Sequence, residues 1–190
     1  MTIPVVAWAA LEPAAKRERL LAAARVVFAR QGLDAPMPAV AAATGAGVGS
    51  LYRCFPSKRA LIAALVVQRL EAIRETVLDA LELDSDPWES LCETLLELAE
   101  QQAADELIGR AYELVRDDEA VHRARDETTA AFEDLLDRAR AQGRVRADAS
   151  ARDVHLLFAA TRAARAVDGD GWRRVLDLFV DALRAGAARQ

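Results

Sequence analysis

Cysteine is scarce in this chain of 190 residues, which contains two of them, Cys54 and Cys92. The two fall in different predicted helical segments. A disulfide framework or a metal cluster needs several cysteines or histidines at short, regular spacing. We therefore predict two reduced thiols, no metal site and no cofactor.

Histidine is equally scarce. The two histidines, His122 and His155, are 33 positions apart, and neither has a cysteine beside it in the sequence. The chain also lacks an HExxH pair, a glycine-rich phosphate loop and a nucleophile elbow. The sequence predicts a protein that is not an enzyme. A helical enzyme with its active site in the C-terminal part is the alternative, and a turnover assay across hydrolase substrates tests it.

Long hydrophobic runs are absent. No apolar stretch approaches the roughly 20 residues that span a bilayer. In the opening segment, MTIPVVAWAALEPAAKR, the basic residues follow the apolar ones, which is the reverse of a secretory signal peptide. We expect a cytoplasmic protein without a membrane segment.

Strand patterns are missing as well. No segment shows a sustained alternation of β-branched with polar residues, and five of the six prolines precede residue 57. Alanine, leucine, arginine and glutamate dominate the remainder, and all four are good helix formers. The predicted fold class is all-α.

The segment 35–58, APMPAVAAATGAGVGSLYRCFPSK, contains two short helical patterns on either side of a Gly-Ala-Gly turn. Gly45 and Gly47 permit a tight turn, and Leu51 of the second helix points back towards Val40 of the first. This is the pattern of a helix-turn-helix. Three side chains of the second helix face outward, where they can hydrogen-bond phosphate oxygens or base edges: Ser50, Tyr52 and Arg53.

The context of this motif resembles the TetR family of bacterial transcriptional regulators. An amphipathic helix, RERLLAAARVVFARQG, precedes the motif, and LYRCFPSKRALIAAL follows it. The resemblance covers about 50 residues. The matching positions are Phe28, Gly32, Val40, Ala41, Gly45, Leu51, Tyr52, Phe55 and Lys58.

The resemblance implies two domains. Residues 14–60 would form a three-helix DNA-binding domain, and residues 61–190 a helical ligand-binding and dimerisation domain. A long helix would join them, and an apolar stripe predicts this helix over about 25 residues. The stripe consists of Ile62, Val66, Leu70, Ile73, Val77 and Leu81.

Charge is distributed unevenly along the chain. Residues 1–60 contain eight basic and three acidic residues, a net charge of +5, so the remainder carries −10 of the overall −5. A basic N-terminal part favours local phosphate contacts, because more distant acids are screened beyond roughly 8 Å at physiological salt. The pattern is typical of a DNA-reading domain attached to an acidic one.

The last two predicted helices, at about residues 150–185, carry broad apolar faces. Small side chains in the first of them, including Ala159 and Ala163, allow close helix packing. Composition alone does not distinguish packing inside one subunit from self-association. The resemblance favours a homodimer formed through these helices, with two recognition helices about 34 Å apart on a palindromic operator in double-stranded DNA.

The resemblance also assigns DNA contacts. Tyr52, Arg53 and Lys58 would reach phosphates, and Gly47 would let the backbone approach closely. Ser50 would reach a base edge or a phosphate. For Tyr52, packing of its ring in the core is the alternative.

Two positions depart from the family pattern. Many relatives have a histidine at the position of Cys54 and a threonine or serine near Met37. Cys54 has only a weak donor in place of the histidine, which would weaken that phosphate contact, and the side chain of Met37 cannot contact the DNA backbone as threonine or serine does. A redox switch at Cys54, activated by Arg53, is the alternative to an ordinary substitution.

The resemblance further implies a small-molecule effector enclosed by the fourth to seventh helices. Aromatic, thiol and imidazole groups in that region are the candidate lining. Each of them can equally be a core or surface residue. They are Trp88, Cys92, Tyr112, His122 and Phe132.

The sequence thus favours a DNA-binding transcriptional regulator, a homodimeric repressor released by a small molecule. The alternative is a helical partner-binding module with a vestigial DNA-binding head. Alanine substitutions at Tyr52, Arg53 and Lys58 separate the two hypotheses, because phosphate contacts contribute to the salt dependence of DNA binding.

Overall fold

The computed structural model describes residues 8–104 and 106–186, and these residues form nine α-helices and no strand. A short 3-10 turn at Trp8–Ala10 precedes them. The helices are α1 Pro13–Gln31, α2 Met37–Thr44, α3 Val48–Cys54, α4 Lys58–Glu82, α5 Pro87–Ala104, α6 Glu106–Val115, α7 Glu119–Ala141, α8 Ala151–Val167 and α9 Gly171–Leu183. The all-α prediction is confirmed. Within the described ranges, no helix is long and apolar enough to cross a membrane.

Contacts between residues divide the chain into two compact units. The first contains the described residues up to Gln68 together with Leu107–Val121, and the second contains the rest. The long helix α4 therefore contributes Lys58–Gln68 to the first unit and its remainder to the second.

The first unit is built on α1, α2 and α3. Helix α1 packs on α2, and α2 packs on α3. Leu20, Phe28, Val40, Leu51 and Phe55 are each at most 1 % exposed, so apolar side chains of all three helices and of the residue after α3 are removed from water. Burial of these side chains stabilises the arrangement and fixes the orientation of α3.

The turn between α2 and α3 depends on Gly45. This residue has φ 71° and ψ 14°, the left-handed conformation that favours glycine. The amide of Ala46 donates to the carbonyl of Ala41 at 3.1 Å, and also to Oγ1 of Thr44 at 3.2 Å. These hydrogen bonds satisfy the end of α2 and direct the chain into α3.

The second unit has one hydrophobic core, to which α4, α5, α7, α8 and α9 contribute. Helix α8 packs along α9, and α5 contacts both. The N-terminus of α8 has a capping box, in which the amide of Ser150 donates to the carboxylate of Asp153 at 2.8 Å. This cap starts α8 directly after the loop that follows α7.

Candidate nucleic-acid interface

Helix α3 presents one face to the protein and the opposite face to the outside. Leu51 is completely buried, while Tyr52 is 45 % exposed and Arg53 is exposed. The side chain of Tyr52 therefore does not belong to the core of the first unit. The outward face also includes Val48, which is 41 % exposed, and Gly49.

Two of the candidate residues on α3 are bonded to each other. The guanidinium of Arg53 donates from Nη2 to Oγ of Ser50 at 2.8 Å, across one turn of the helix. This bond occupies one lone pair of the serine hydroxyl and restrains Arg53 along the outer face of α3. A guanidinium has five N–H donors, so Arg53 keeps donors for a phosphate.

Gly47 is the residue before α3, with φ −69° and ψ 145°. That conformation is available to any residue, and an added Cβ would meet no atom within 4 Å. Neither the fold nor the local space therefore requires glycine here. Its lack of a side chain leaves the start of α3 open to close approach by a ligand.

Lys58 is the first residue of α4, where Ser57 provides the N-terminal cap by accepting the amide of Ala60 at 3.1 Å. Its Nζ lies 6.0 Å from the centroid of the Phe28 ring. No acid of the described chain forms an ion pair with Lys58. Its ammonium and the positive end of α4 are thus both available to an anion.

Arg17 is a basic residue of this region that the sequence did not identify as a candidate. Its guanidinium carbon lies 4.5 Å from the centroid of the Phe55 ring, and Phe55 immediately follows α3. No ion pair joins Arg17 to an acid within residues 8–104 and 106–186. The 38 positions between Arg17 and Phe55 explain the omission, because the basic stretch of α1 does not reveal which of its members faces α3.

Arg59 is next to Lys58 but has a different environment. Its Nη2 donates to Oδ1 of Asp117 at 2.5 Å, and its Nη1 donates to the carbonyl of Leu114 near the end of α6. The hydrogen bond from Arg59 lowers the pKa of the Asp117 carboxyl from its usual value. Arg59 is therefore already engaged within the first unit.

The candidate effector residues are not all in one place. Trp88 and Phe132 belong to the core of the second unit, and Cys92 packs against that core. His122 lies in the same unit but is exposed, and Tyr112 belongs to the first unit. The structure therefore groups three of the five candidates in one core.

That core contains several aromatic rings. The rings of Phe132 and Phe158 are 6.3 Å apart between centroids, and the guanidinium of Arg184 lies 5.4 Å from the Trp88 ring. Burial raises the pKa of the Cys92 thiol to about 11. Cys92 therefore behaves as a small apolar side chain at neutral pH.

The two positions that depart from the family pattern have different surroundings. Met37 is 5 % exposed and belongs to the core of the first unit, whereas Cys54 is half-buried at the end of α3. In the part of the chain that the structure describes, no group of three or more His, Cys, Asp or Glu side chains is placed to hold a metal ion.

Comparison with known families gives two matches. Residues 20–65 match the model described as bacterial regulatory proteins of the TetR family. Residues 86–185 match the model described as the C-terminal domain of SbtR-like transcriptional regulators. No curated protein matches the chain.

Solved structures similar to this chain include several regulators. A TetR transcriptional regulator from Streptomyces coelicolor is 29 % identical, with a TM-score of 0.67 over 90 % of this chain and 99 % of that one. A TetR regulatory protein from Mycobacterium vanbaalenii is 29 % identical, with a TM-score of 0.65 over 90 % and 96 %. FadR from Thermus thermophilus, a TetR-family repressor in complex with lauroyl-CoA, is 25 % identical, with a TM-score of 0.64 over 92 % and 96 %.

Proposed function

The chain belongs to the TetR family of bacterial transcriptional regulators, which are DNA-binding proteins and not enzymes, and on that premise we propose that it is a homodimeric repressor released from its operator by a small molecule. The observation that carries the proposal is the outward face of α3. Tyr52 and Arg53 project from it over a buried Leu51, and Lys58 and Arg17 lie near its C-terminal end without acidic partners in the described structure. A repressor acting on chromosomal DNA would work in the cytoplasm.

The DNA contacts follow from this arrangement. Tyr52, Arg53 and Lys58 would hold phosphates, with Arg17 as a fourth contact. Because Gly47 has no side chain, the backbone at the start of α3 would approach the duplex closely. Ser50 would contact the DNA beside Arg53. Charged donors aimed at phosphate form the stronger class of hydrogen bond, so the arginine and lysine contacts would dominate affinity.

Dimerisation would use α8 and α9, within about residues 150–185. Their outer faces retain apolar side chains that the second unit does not cover: Leu156 is 55 % exposed, Val167 90 % and Leu178 52 %. A two-fold axis places the same patch on both subunits. The two copies of α3 would then lie one turn of the DNA duplex apart, about 34 Å, and the operator would be palindromic.

The effector would bind in the core of the second unit, next to Trp88, Cys92 and Phe132. The structure of FadR from Thermus thermophilus in complex with lauroyl-CoA supports the proposal of a small-molecule effector, because that repressor is similar to this chain along most of its length. Tyr112 and His122 remain candidates from the resemblance alone. The repressor would leave its operator through a population shift. The ligand would stabilise a position of α4 in which the dimer no longer fits the operator.

Hydrogen bonds of Arg59 connect the start of α4 to the end of α6 within the first unit. Its guanidinium joins the first turn of α4 to the carbonyl of Leu114 in α6 and to Asp117 just beyond it. A shift of α6 would thus be transmitted to the start of α4 and to Lys58. In the absence of effector, the two hydrogen bonds of Arg59 would oppose small displacements of α4 relative to α6.

The test is selection of duplexes from a random library by the purified protein, followed by titration of the selected sequence at several salt concentrations. An inverted repeat, bound with a steep salt dependence by a dimer in sedimentation, supports the proposal. A folded dimer that enriches no sequence contradicts it and favours the partner-binding module. Metabolites that dissociate the bound operator would identify the effector, and tighter binding with every active metabolite would refute the repressor mechanism.

A further inference from the structure

The first turn of α3 carries an apolar group where a DNA-reading helix usually carries polar ones. Val48 is the first residue of the helix, and its side chain is 41 % exposed. Gly49 has no side chain, and the hydroxyl of Ser50 already accepts a hydrogen bond from Arg53. The isopropyl group of Val48 is therefore the apolar side chain that this turn presents to the outside, next to the partly exposed hydroxyl of Ser50.

Gly49 next to it is not required by the fold. Its backbone is helical with negative φ, and an added Cβ would meet only Nη1 of Arg53, at 3.9 Å. Glycine in a helix is destabilising relative to alanine, so its presence brings no stability. It leaves the flank of α3 beside Val48 bare, and the helix can then approach the floor of a groove closely.

The chemistry of the major groove identifies what Val48 meets there. Residues at the N-terminal end of a recognition helix contact base edges, and the one apolar group that the four bases expose in the major groove is the C5-methyl of thymine. Cytosine presents a hydrogen at that carbon. We propose that Val48 is a specificity-determining residue that selects a thymine in each half-site by packing on its methyl group.

The inference rests on the proposed function, and its test begins with the selected operator. Each thymine is replaced in turn by deoxyuridine, which removes the methyl and preserves base pairing. At one position in each half-site, wild-type binding should weaken about fourfold, the effect of one buried methyl group, and about 15-fold when both half-sites are changed. A cytosine at that position should bind more tightly once it is methylated at C5.

Variants assign the effect to Val48. In Val48→Ala, the uracil penalty should fall below about twofold, while Val48→Thr, which keeps one methyl, should retain part of it. Val26→Ala is the matched control, because Val26 is 49 % exposed on α1 and the same atoms are removed. This control should show the full wild-type penalty, and circular dichroism should confirm that all three variants fold.

The outcomes separate the two proposals. If an operator is selected but no thymine shows a methyl effect that depends on residue 48, the assignment of Val48 is overturned and the regulator proposal stands. If no sequence is selected, the proposed function itself fails, and the assignment of Val48 fails with it.

Discussion

Replacing Lys58 or Arg59 tests whether position, rather than charge alone, decides which basic residues hold DNA. Both are on the first turn of α4, and Lys58→Met and Arg59→Met each remove one positive charge from the same place. The environments differ, since Arg59 is bonded to Asp117 and to the carbonyl of Leu114. Lys58 lies over the Phe28 ring and has no acidic partner in the described part of the chain.

The expected magnitude follows from the number of contacts. One phosphate contact per subunit means two per dimer, and each contact adds about 0.9 to the slope of log affinity against log salt. Lys58→Met should therefore make the slope shallower by about 1.8. Between 50 and 200 mM salt, the affinity of the wild type should fall about 12-fold more than that of this variant. Arg59→Met should leave the slope unchanged.

Fluorescence anisotropy with a labelled operator at five salt concentrations measures both slopes. Long-range attraction is matched in the two variants because each loses one charge from neighbouring positions. Equal losses of slope would mean that the basic residues act through their total charge, and the division into engaged and available cations would be refuted. An unchanged slope for Lys58→Met would remove Lys58 from the interface.

Three further predictions concern the fold and the assembly. Gly45→Ala places a Cβ on a residue in the left-handed conformation, which costs about 1–2 kcal/mol, and it should lower the hydrogen-exchange protection of α2 and α3 about 5- to 30-fold. Gly47→Ala is the control and should leave this protection unchanged, because Gly47 has an extended conformation that alanine also adopts. Burial raises the pKa of the Cys92 thiol from 9.0 to about 11, so the unfolded chain loses this proton at a lower pH than the folded chain. The free energy of unfolding, measured by urea titration, should therefore fall between pH 9 and 11 in the wild type but not in a Cys92→Ala variant. Leu178→Glu should dissociate the dimer in sedimentation, whereas Leu96→Glu, at a similarly exposed leucine of α5, should not, and equal behaviour of the two would contradict the proposed interface.

Most helix bounds were predictable because the signals that start and stop helices are local. The sequence predicts two short helices on either side of the Gly-Ala-Gly turn, and the structure has α2 over Met37–Thr44 and α3 over Val48–Cys54. The apolar stripe likewise predicts a helix of about 25 residues, and α4 has 25 residues, over Lys58–Glu82. Gly45 and Ser150 illustrate the reason, since a left-handed turn and a capping box each involve residues within a few positions of one another.

Contacts between distant residues were not predictable in the same way. The ion pair of Arg59 with Asp117 joins residues 58 positions apart, and nothing near either residue indicates the other. The grouping of Trp88 with Phe132 and the assignment of Tyr112 to the other unit likewise depend on how the helices pack. A single sequence defines the faces of helices but not which faces meet.

The structure also changes what the basic charge of the N-terminal part means. The net charge of +5 counts all eight basic residues of the N-terminal part equally, but their environments differ. Arg59 is bonded to Asp117, and Arg53 is restrained by its hydrogen bond to Ser50. Arg17 and Lys58, for which the described residues provide no ion pair, lie over aromatic rings close to the C-terminal end of α3 and the start of α4, while the first turn of α3 carries no charge at all. Phosphate anchoring and base reading would thus be separated along one short helix. Substitutions at its C-terminal end should then change affinity for all sequences alike, and substitutions at Val48 should change which sequence is preferred.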